Sequence, residues 1–355
     1  VTQLVSLPTS QISVLQLPQA GVETHAEDVV MIHGLGANLG FWYAGAAQLF
    51  THFGRVTLYD MLGHGHSDMP ESGYSPRQMA DDLGLLLDRL NIERVHLVAH
   101  SYGGMVALSF ALQQPERVKS LVLADVRVWQ VEPPSWKTVQ PAWLQRMRDA
   151  GLPLEESAMD PSFQVLVELA RMQIDRPDSA RGAFADMPGG RSLFHGRRGA
   201  QKWLRLIEET KAYAEMTSGS DFTVQDLPKI RQPILAVFGE QSLRQRSARA
   251  LQRLCPDCTL RIVPNAGHFF PLSRPRIFAA IAMEFLGGAP LPANLLPGGA
   301  GLGGAGLGGA LGGALGGGGF GAGRRAERRG RLRDVIDMGG VGAITGPVPG
   351  SETLS

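Results

Sequence analysis

A series of short runs of consecutive apolar residues, each of strand length, constrains this chain more than any other feature. They fall at 12–17 (ISVLQL), 28–33 (DVVMIH), 55–60 (RVTLYD), 94–100 (RVHLVAH), 120–125 (SLVLAD), 233–239 (PILAVFG) and 259–264 (TLRIVP). Most of these runs are continuously apolar instead of alternating, which marks strands buried on both faces. Segments of helical pattern separate them at 41–50, 75–90, 105–114, 244–254 and 274–286. Strands and helices in alternation predict an α/β chain, a mostly parallel sheet covered on both sides. On such sheets ligands collect beyond the carboxyl ends of the strands.

The alternation is interrupted once, over residues 126–228, which read as several helices, one of them over 199–216, and no strand. An insertion of that length at the carboxyl end of a strand is placed to cover a site. Its aromatic residues Trp129, Trp136, Trp143, Phe163 and Trp203 are candidates for an apolar pocket, with packing between insertion and core as the plainer role for each. The organisation read from the sequence is therefore a core at 1–125, a helical cap at 126–228, the rest of the core at 229–286, and a tail at 287–355. Glycine dominates the start of that tail and an arginine-rich block, RRAERRGRLR, follows it. So much backbone entropy predicts a disordered appendage, and glycine outweighs leucine too strongly for a membrane anchor to be expected.

Composition narrows the partners. With 34 Lys and Arg against 33 Asp and Glu, the chain has no excess charge to hold nucleic acid or an acidic substrate. Cys255 and Cys258 are its two cysteines; a lone C-x-x-C with no second ligand pair reads as ordinary thiols, not as a metal site. The N-terminal segment has neither a basic stretch nor a compact apolar one, so no signal peptide is expected and a cytoplasmic location is the default. Oligomeric state is not legible.

The chemistry sits at the strand ends. Ser101 lies in VAHSYGGMVAL, where a strand runs into a helix among small residues. A serine on so tight a turn projects its hydroxyl above the sheet edge. Ala99 stands where a glycine is usual, a small departure; the alternative role for Ser101 is a helix cap. The loop His33-Gly34-Leu35-Gly36 follows an earlier strand. The backbone N–H groups of Leu35 and Tyr102 are then placed to form an oxyanion hole. His33 reads as a loop-ordering residue, as do His64 and His66 in their glycine turn. His268, in VPNAGHFFPLSRP after the last strand, is the candidate general base.

Taken in order, HGLG, YDMLGHGHSD, VAHSYGGMVAL, PILAVFGE and VPNAGHFFPLSRP resemble the α/β-hydrolase fold family, in the capped branch of esterases, epoxide hydrolases, haloalkane dehalogenases and carbon–carbon hydrolases. The resemblance covers roughly 28–286. It implies an eight-stranded sheet, a helical cap after the sixth strand and a Ser–His–acid triad, with no metal and no organic cofactor. Relatives often carry the acid a few residues after the strand that is PILAVFG here, and this chain has Ser242 there. Two carboxylates offer themselves: Asp125, at the end of SLVLAD and one strand on from the nucleophile, is the favoured acid, and Glu240, two residues before Ser242, is the alternative.

A serine nucleophile argues against dehalogenase or epoxide hydrolase chemistry, which needs a carboxylate. The expectation is an esterase forming an acyl-enzyme on a small-molecule ester. Two alternatives stand beside it. One is a carbon–carbon hydrolase of meta-cleavage-type diketones, with Arg127 or Arg146 holding the substrate's carboxylate. The other is a non-catalytic ligand-binding protein, raised by Ser242 at the acid's usual position.

Overall fold

The computed structural model describes residues 1–20, 27–132, 145, 147–149, 151–178, 194, 196–219, 222–288, 290 and 291. Eight strands form one sheet in the order β1-β2-β4-β3-β5-β6-β7-β8. They are β1 (Gln3–Ser6), β2 (Gln11–Leu17), β3 (Glu27–Ile32), β4 (Gly54–Tyr59), β5 (Val95–His100), β6 (Val118–Ala124), β7 (Ile234–Gly239) and β8 (Cys258–Val263). The β1–β2 and β2–β4 pairs are antiparallel and every other pair is parallel. The apolar runs of the sequence each fall on one of β2 to β8. The strand that they do not reveal is β1, a mostly exposed four-residue edge strand with too few apolar side chains to signal itself.

The helices in chain order begin with α1 (Gly40–Ala44), α2 (Ala47–Phe50), α3 (Pro76–Arg89) and α4 (Gly103–Gln113). Then come α5 (Pro161–Asp175), α6 (Arg197–Glu209) and α7 (Ala212–Thr217), followed by α8 (Gln245–Leu254), α9 (Phe270–Ser273) and α10 (Pro275–Leu286). Successive side chains of the central strands enter opposite layers. Leu97, Ala99, Leu121, Leu123, Ala236 and Phe238 join one core cluster, while Val98, Val122, Leu235 and Val237 join the other. Covering both faces removes the strands from water, and burial of apolar area at about 25 cal/mol per Å² is the main force holding the layers together. α3 starts as its sequence dictates: the Ser75 hydroxyl accepts from the Gln78 N–H at 3.2 Å and Pro76 occupies the first turn.

Two helices expected as continuous are broken. The segment 41–50 divides into α1 and α2 at Gly45, where a Cβ would stand 3.2 Å from the Pro271 carbonyl oxygen. The close approach of α9 leaves little room for a side chain there. Likewise 199–216 divides at Thr210, whose extended backbone ends α6 and whose hydroxyl accepts from the Ala212 N–H at 3.1 Å to start α7.

The helical insertion lies between β6 and β7 and is fastened to the core by polar contacts. Lys202 on α6 donates to the carbonyls of Gly65 (2.9 Å) and Ser67 (2.6 Å). Glu215 on α7 accepts from the N–H groups of Gly73 and Tyr74, both at 2.8 Å. Trp203 stacks on Phe163 at 6.0 Å and meets the His64 ring at 5.9 Å. These two aromatic residues therefore serve the packing of insertion on core. α10 closes with Gly287 in the left-handed region (φ 72°) and the Gly288 N–H donating to Met283. The tail expected from 287 onward lies, from residue 292, outside the described residues. No helix among the described residues is long and apolar enough to cross a membrane.

Candidate active site

Ser101 follows the last residue of β5 with φ at 54°, a left-handed conformation that costs a non-glycine residue about 1–2 kcal/mol. The neighbours make that turn feasible. A Cβ on Gly103 would lie 2.5 Å from the His33 carbonyl oxygen, and one on Gly104 would lie 2.1 Å from the Val126 side chain. The methyl of Ala99 is fully buried in the core, so alanine is accommodated at the usual glycine position. The Ser101 N–H donates to the Ala124 carbonyl at 3.1 Å, tying the turn to β6. Behind it α4 begins, and the first N–H groups of a helix have no partner within it.

His268 joins Ser101 to a carboxylate. Its Nε2 is 3.1 Å from Ser101 Oγ and its Nδ1 is 2.6 Å from Asp125 Oδ2. Of the two acid candidates, Asp125 is thus the one brought to the histidine. It follows the end of β6, is 0% exposed and has φ at 49°. Its N–H donates to Val237 at 2.8 Å. Its Oδ1 accepts from the Gly239 N–H at 3.2 Å, and its Oδ2 accepts from the Ser242 hydroxyl at 2.7 Å. Glu240 is corrected to a different position: exposed, it accepts the Asn265 N–H at 2.8 Å and steadies the loop that carries His268. Gly239 lets that loop approach, since a Cβ there would stand 2.2 Å from the Ala266 carbonyl oxygen.

The loop after β3 lies against the same point. A Cβ on Gly34 would lie 3.0 Å from the Ser101 Cβ, which puts Leu35 beside the serine turn. His33 orders this loop: its Nε2 accepts the Met61 N–H at 3.1 Å, leaving Nδ1–H to donate to the Gly34 carbonyl at 2.8 Å. The buried His64 also stays neutral, burial pushing its pKa down to about 3. The Tyr102 hydroxyl donates to the Tyr74 carbonyl at 3.0 Å, fixing the residue after Ser101.

Two contributors were given no part in the site by sequence reasoning. His100 is buried, with its Nε2–H donating to the His268 carbonyl at 2.9 Å and its ring stacked on Phe41 at 4.6 Å. Burial holds its pKa well below the ordinary histidine value. Ser242 drew notice in the sequence as a missing acid, and it is in fact a partner of the acid. The only available signals were adjacency to Ser101 for the first and the G-x-x-D position for the second.

Other candidates fall elsewhere. Trp129 is buried, with the Arg127 guanidinium 4.5 Å from its ring centroid and Phe163 at 6.2 Å. Trp136, Trp143 and Arg146 lie outside the described residues. Arg127 is paired with Asp160 at 3.1 Å and donates to the Glu132 carbonyl, so it is committed to the base of the insertion. Cys255 and Cys258 are free thiols, raised by burial to about 11 and about 12.

Comparison with known proteins follows the same lines. A family model described as alpha/beta hydrolase fold matches residues 29–275. The chain is 28% identical over 275 residues to a putative carbamate hydrolase RutD of Caulobacter sp. (strain K31), covering 76% of this chain and 93% of that protein. It is 46% identical over 101 residues to a putative carbamate hydrolase RutD of Pantoea ananatis (strain LMG 20103), a stretch covering 28% of this chain and 36% of that protein. Among solved structures, carboxylesterase CesB (YbfK) from Bacillus subtilis superposes with a TM-score of 0.58 at 19% identity, covering 81% of this chain and 92% of that one. At that identity the likeness concerns the fold alone.

Proposed function

The chain belongs to the α/β-hydrolase fold family, and from that premise we propose that it is a serine hydrolase cleaving carboxylic esters through an acyl-enzyme. The observation that carries this reading is the unbroken line of hydrogen bonds from Ser101 through His268 to Asp125.

With Nδ1–H donated to Asp125, the Nε2 lone pair of His268 faces the Ser101 hydroxyl. Ser101 Oγ attacks the ester carbonyl while its proton passes to Nε2. Asp125 holds the imidazole in the required tautomer and stabilises the imidazolium that forms. The carbonyl oxygen, now carrying negative charge, receives the N–H groups of Leu35 and Tyr102, a donor of this kind contributing roughly 10²–10³ in rate. Collapse expels the alcohol, protonated by His268. A water then gives its proton to the same Nε2 as it attacks the acyl carbonyl; the Ser101 Oγ–acyl bond breaks, Oγ takes the proton back from His268, and the carboxylic acid leaves. The reading needs no bound metal or organic cofactor.

The carbon–carbon hydrolase alternative loses Arg127, which is occupied by Asp160. The binding-protein alternative was motivated by Ser242 at the acid's usual position; Asp125, hydrogen-bonded to His268 from the end of β6, supports the catalytic reading instead. A carbamate belongs in the same assay, because two relatives are named putative carbamate hydrolases and a carbamate offers a carbonyl to the same attack. The test is hydrolysis of short-chain p-nitrophenyl esters by the wild type beside Ser101→Ala. Turnover abolished by the substitution supports the reading; equal rates in both folded proteins contradict it.

A further inference from the structure

Asp125 is shielded from solvent, so its carboxylate oxygens depend on protein donors. Oδ1 has the Gly239 N–H. Oδ2, the oxygen that faces His268, has one further donor among the described residues, the hydroxyl of Ser242 at 2.7 Å. Ser242 is 6% exposed and its own hydrogen bonding is directional. A serine hydroxyl has one proton to give. The Arg244 N–H donates to Ser242 Oγ at 3.0 Å, occupying a lone pair and leaving the proton for Asp125.

The turn that presents this hydroxyl is itself held. The Ser242 N–H donates to the Gly239 carbonyl at 3.1 Å, and Gln245 Nε2 donates to the same carbonyl at 2.9 Å. The Arg244 guanidinium reaches Ser162 Oγ at 3.3 Å and Glu132 at 3.7 Å. Residues 239–245 therefore form a held platform under the acid, and the side-chain hydrogen bond they make to it among the described residues comes from Ser242.

We propose that Ser242 is a positioning residue of the active site: its hydroxyl fixes Asp125 Oδ2 in the orientation that receives His268 Nδ1–H. The inference rests on the Ser–His–Asp reading above. Without the hydroxyl, Oδ2 keeps only the histidine, and the Gly239 N–H on Oδ1 is left to resist rotation of the carboxylate about its last bond. The imidazole then loses part of its alignment with Ser101. Chemistry suffers while binding does not, because Ser242 acts from beneath the acid.

The test compares Ser242→Ala and Ser242→Thr with the wild type on a p-nitrophenyl ester, alongside the low-field proton NMR signal of His268 Nδ1. In the alanine variant kcat falls about tenfold, the value of one hydrogen bond to a charged group, with KM unchanged. The Nδ1 proton signal moves or broadens. The threonine variant, which keeps the hydroxyl, restores both. A wild-type kcat and an unmoved signal in Ser242→Ala overturn the proposal. Should the alanine variant not fold, Ser242→Cys, similar in size with only a weak donor, takes its place, with the same results expected and the same results overturning the proposal. The NMR readout needs no substrate. A shifted signal with no Ser101-dependent ester turnover upholds the positioning role and rejects the ester reading; turnover with an unshifted signal does the reverse.

Discussion

Ser101 and Asp125 end neighbouring parallel strands with the same unusual backbone, φ at 54° and 49°. Each comes one residue after the registered pair His100 and Ala124. Two adjacent strands thus finish in matching left-handed turns, one presenting a hydroxyl and the other a carboxylate to opposite nitrogens of His268. Strained backbone at two such positions is what a site built for chemistry tolerates.

That strain has a measurable size. Ser101→Gly relieves a left-handed penalty of about 1–2 kcal/mol, offset by about 0.4–1 kcal/mol of added chain entropy. Both Ser101→Gly and Ser101→Ala lose the hydroxyl, so the glycine variant melts roughly 1–4 °C above the alanine variant. Thermal unfolding of the pair decides it, and a glycine variant that melts lower contradicts the strain account.

The two carboxylates separate by substitution. Asp125→Asn keeps the shape but no longer stabilises the imidazolium, and ester kcat/KM falls by about 10⁴. Glu240→Gln leaves the hydrogen bond from the Asn265 N–H intact in form and changes kcat/KM by less than about tenfold, the cost of weakening one charged hydrogen bond. Steady-state kinetics of both variants checks the assignment. Comparable losses would show that Asp125 is not the special partner.

Glycine is required at 103 for contact, not for conformation. Gly103→Ala forces a methyl against the His33 and Ile32 carbonyls, an overpacking cost of about 1–3 kcal/mol. The loop carrying Leu35 must shift, so both the denaturation midpoint and the ester rate fall. A variant with unchanged activity would place that loop outside the reaction.

Stability depends on pH through buried histidines. His64, held down to about 3, and His100, held well below its ordinary value, are both neutral in the fold; His96 is lowered by burial as well. In the unfolded chain each takes up a proton near pH 6.5. The unfolded state therefore binds more protons below that point, and stability present at pH 7 is lost as pH falls through the window below about 6.5. Asp82, raised by burial to about 6, works in the opposite sense, since its folded form gains a proton on acidification. Three histidines outweigh one carboxylate, so the melting temperature drops between pH 7.5 and pH 5. A flat or rising profile contradicts this balance.

Much of the fold was legible because its central strands are continuous apolar runs, a signal that survives without tertiary information. Ser101 was legible for a related reason: small residues on both sides of a strand-to-helix serine have few other uses. The acid was legible as a preference only. Strand order favoured Asp125, but Asp125 and Glu240 both follow strand ends, and what decides between them is three-dimensional. Asp125 closes the strand lying between β5 and β7, whereas Glu240 is turned outward by Asn265. The break at Gly45 lies against Pro271, far away in the chain, a proximity that no local pattern encodes. Ser242 illustrates the same limit, since a serine at an acid's position looks like a loss until the acid beside it is seen.

The central claim is that Ser101 becomes acylated. Wild-type protein mixed with a p-nitrophenyl ester, quenched in acid within the first turnover and digested, should yield the peptide containing Ser101 with the mass of the acyl group added. Asp125→Asn should accumulate that species more slowly, and Ser101→Ala should not form it. An acyl group on another residue, or turnover with no acylated peptide under any quench time, would contradict the account.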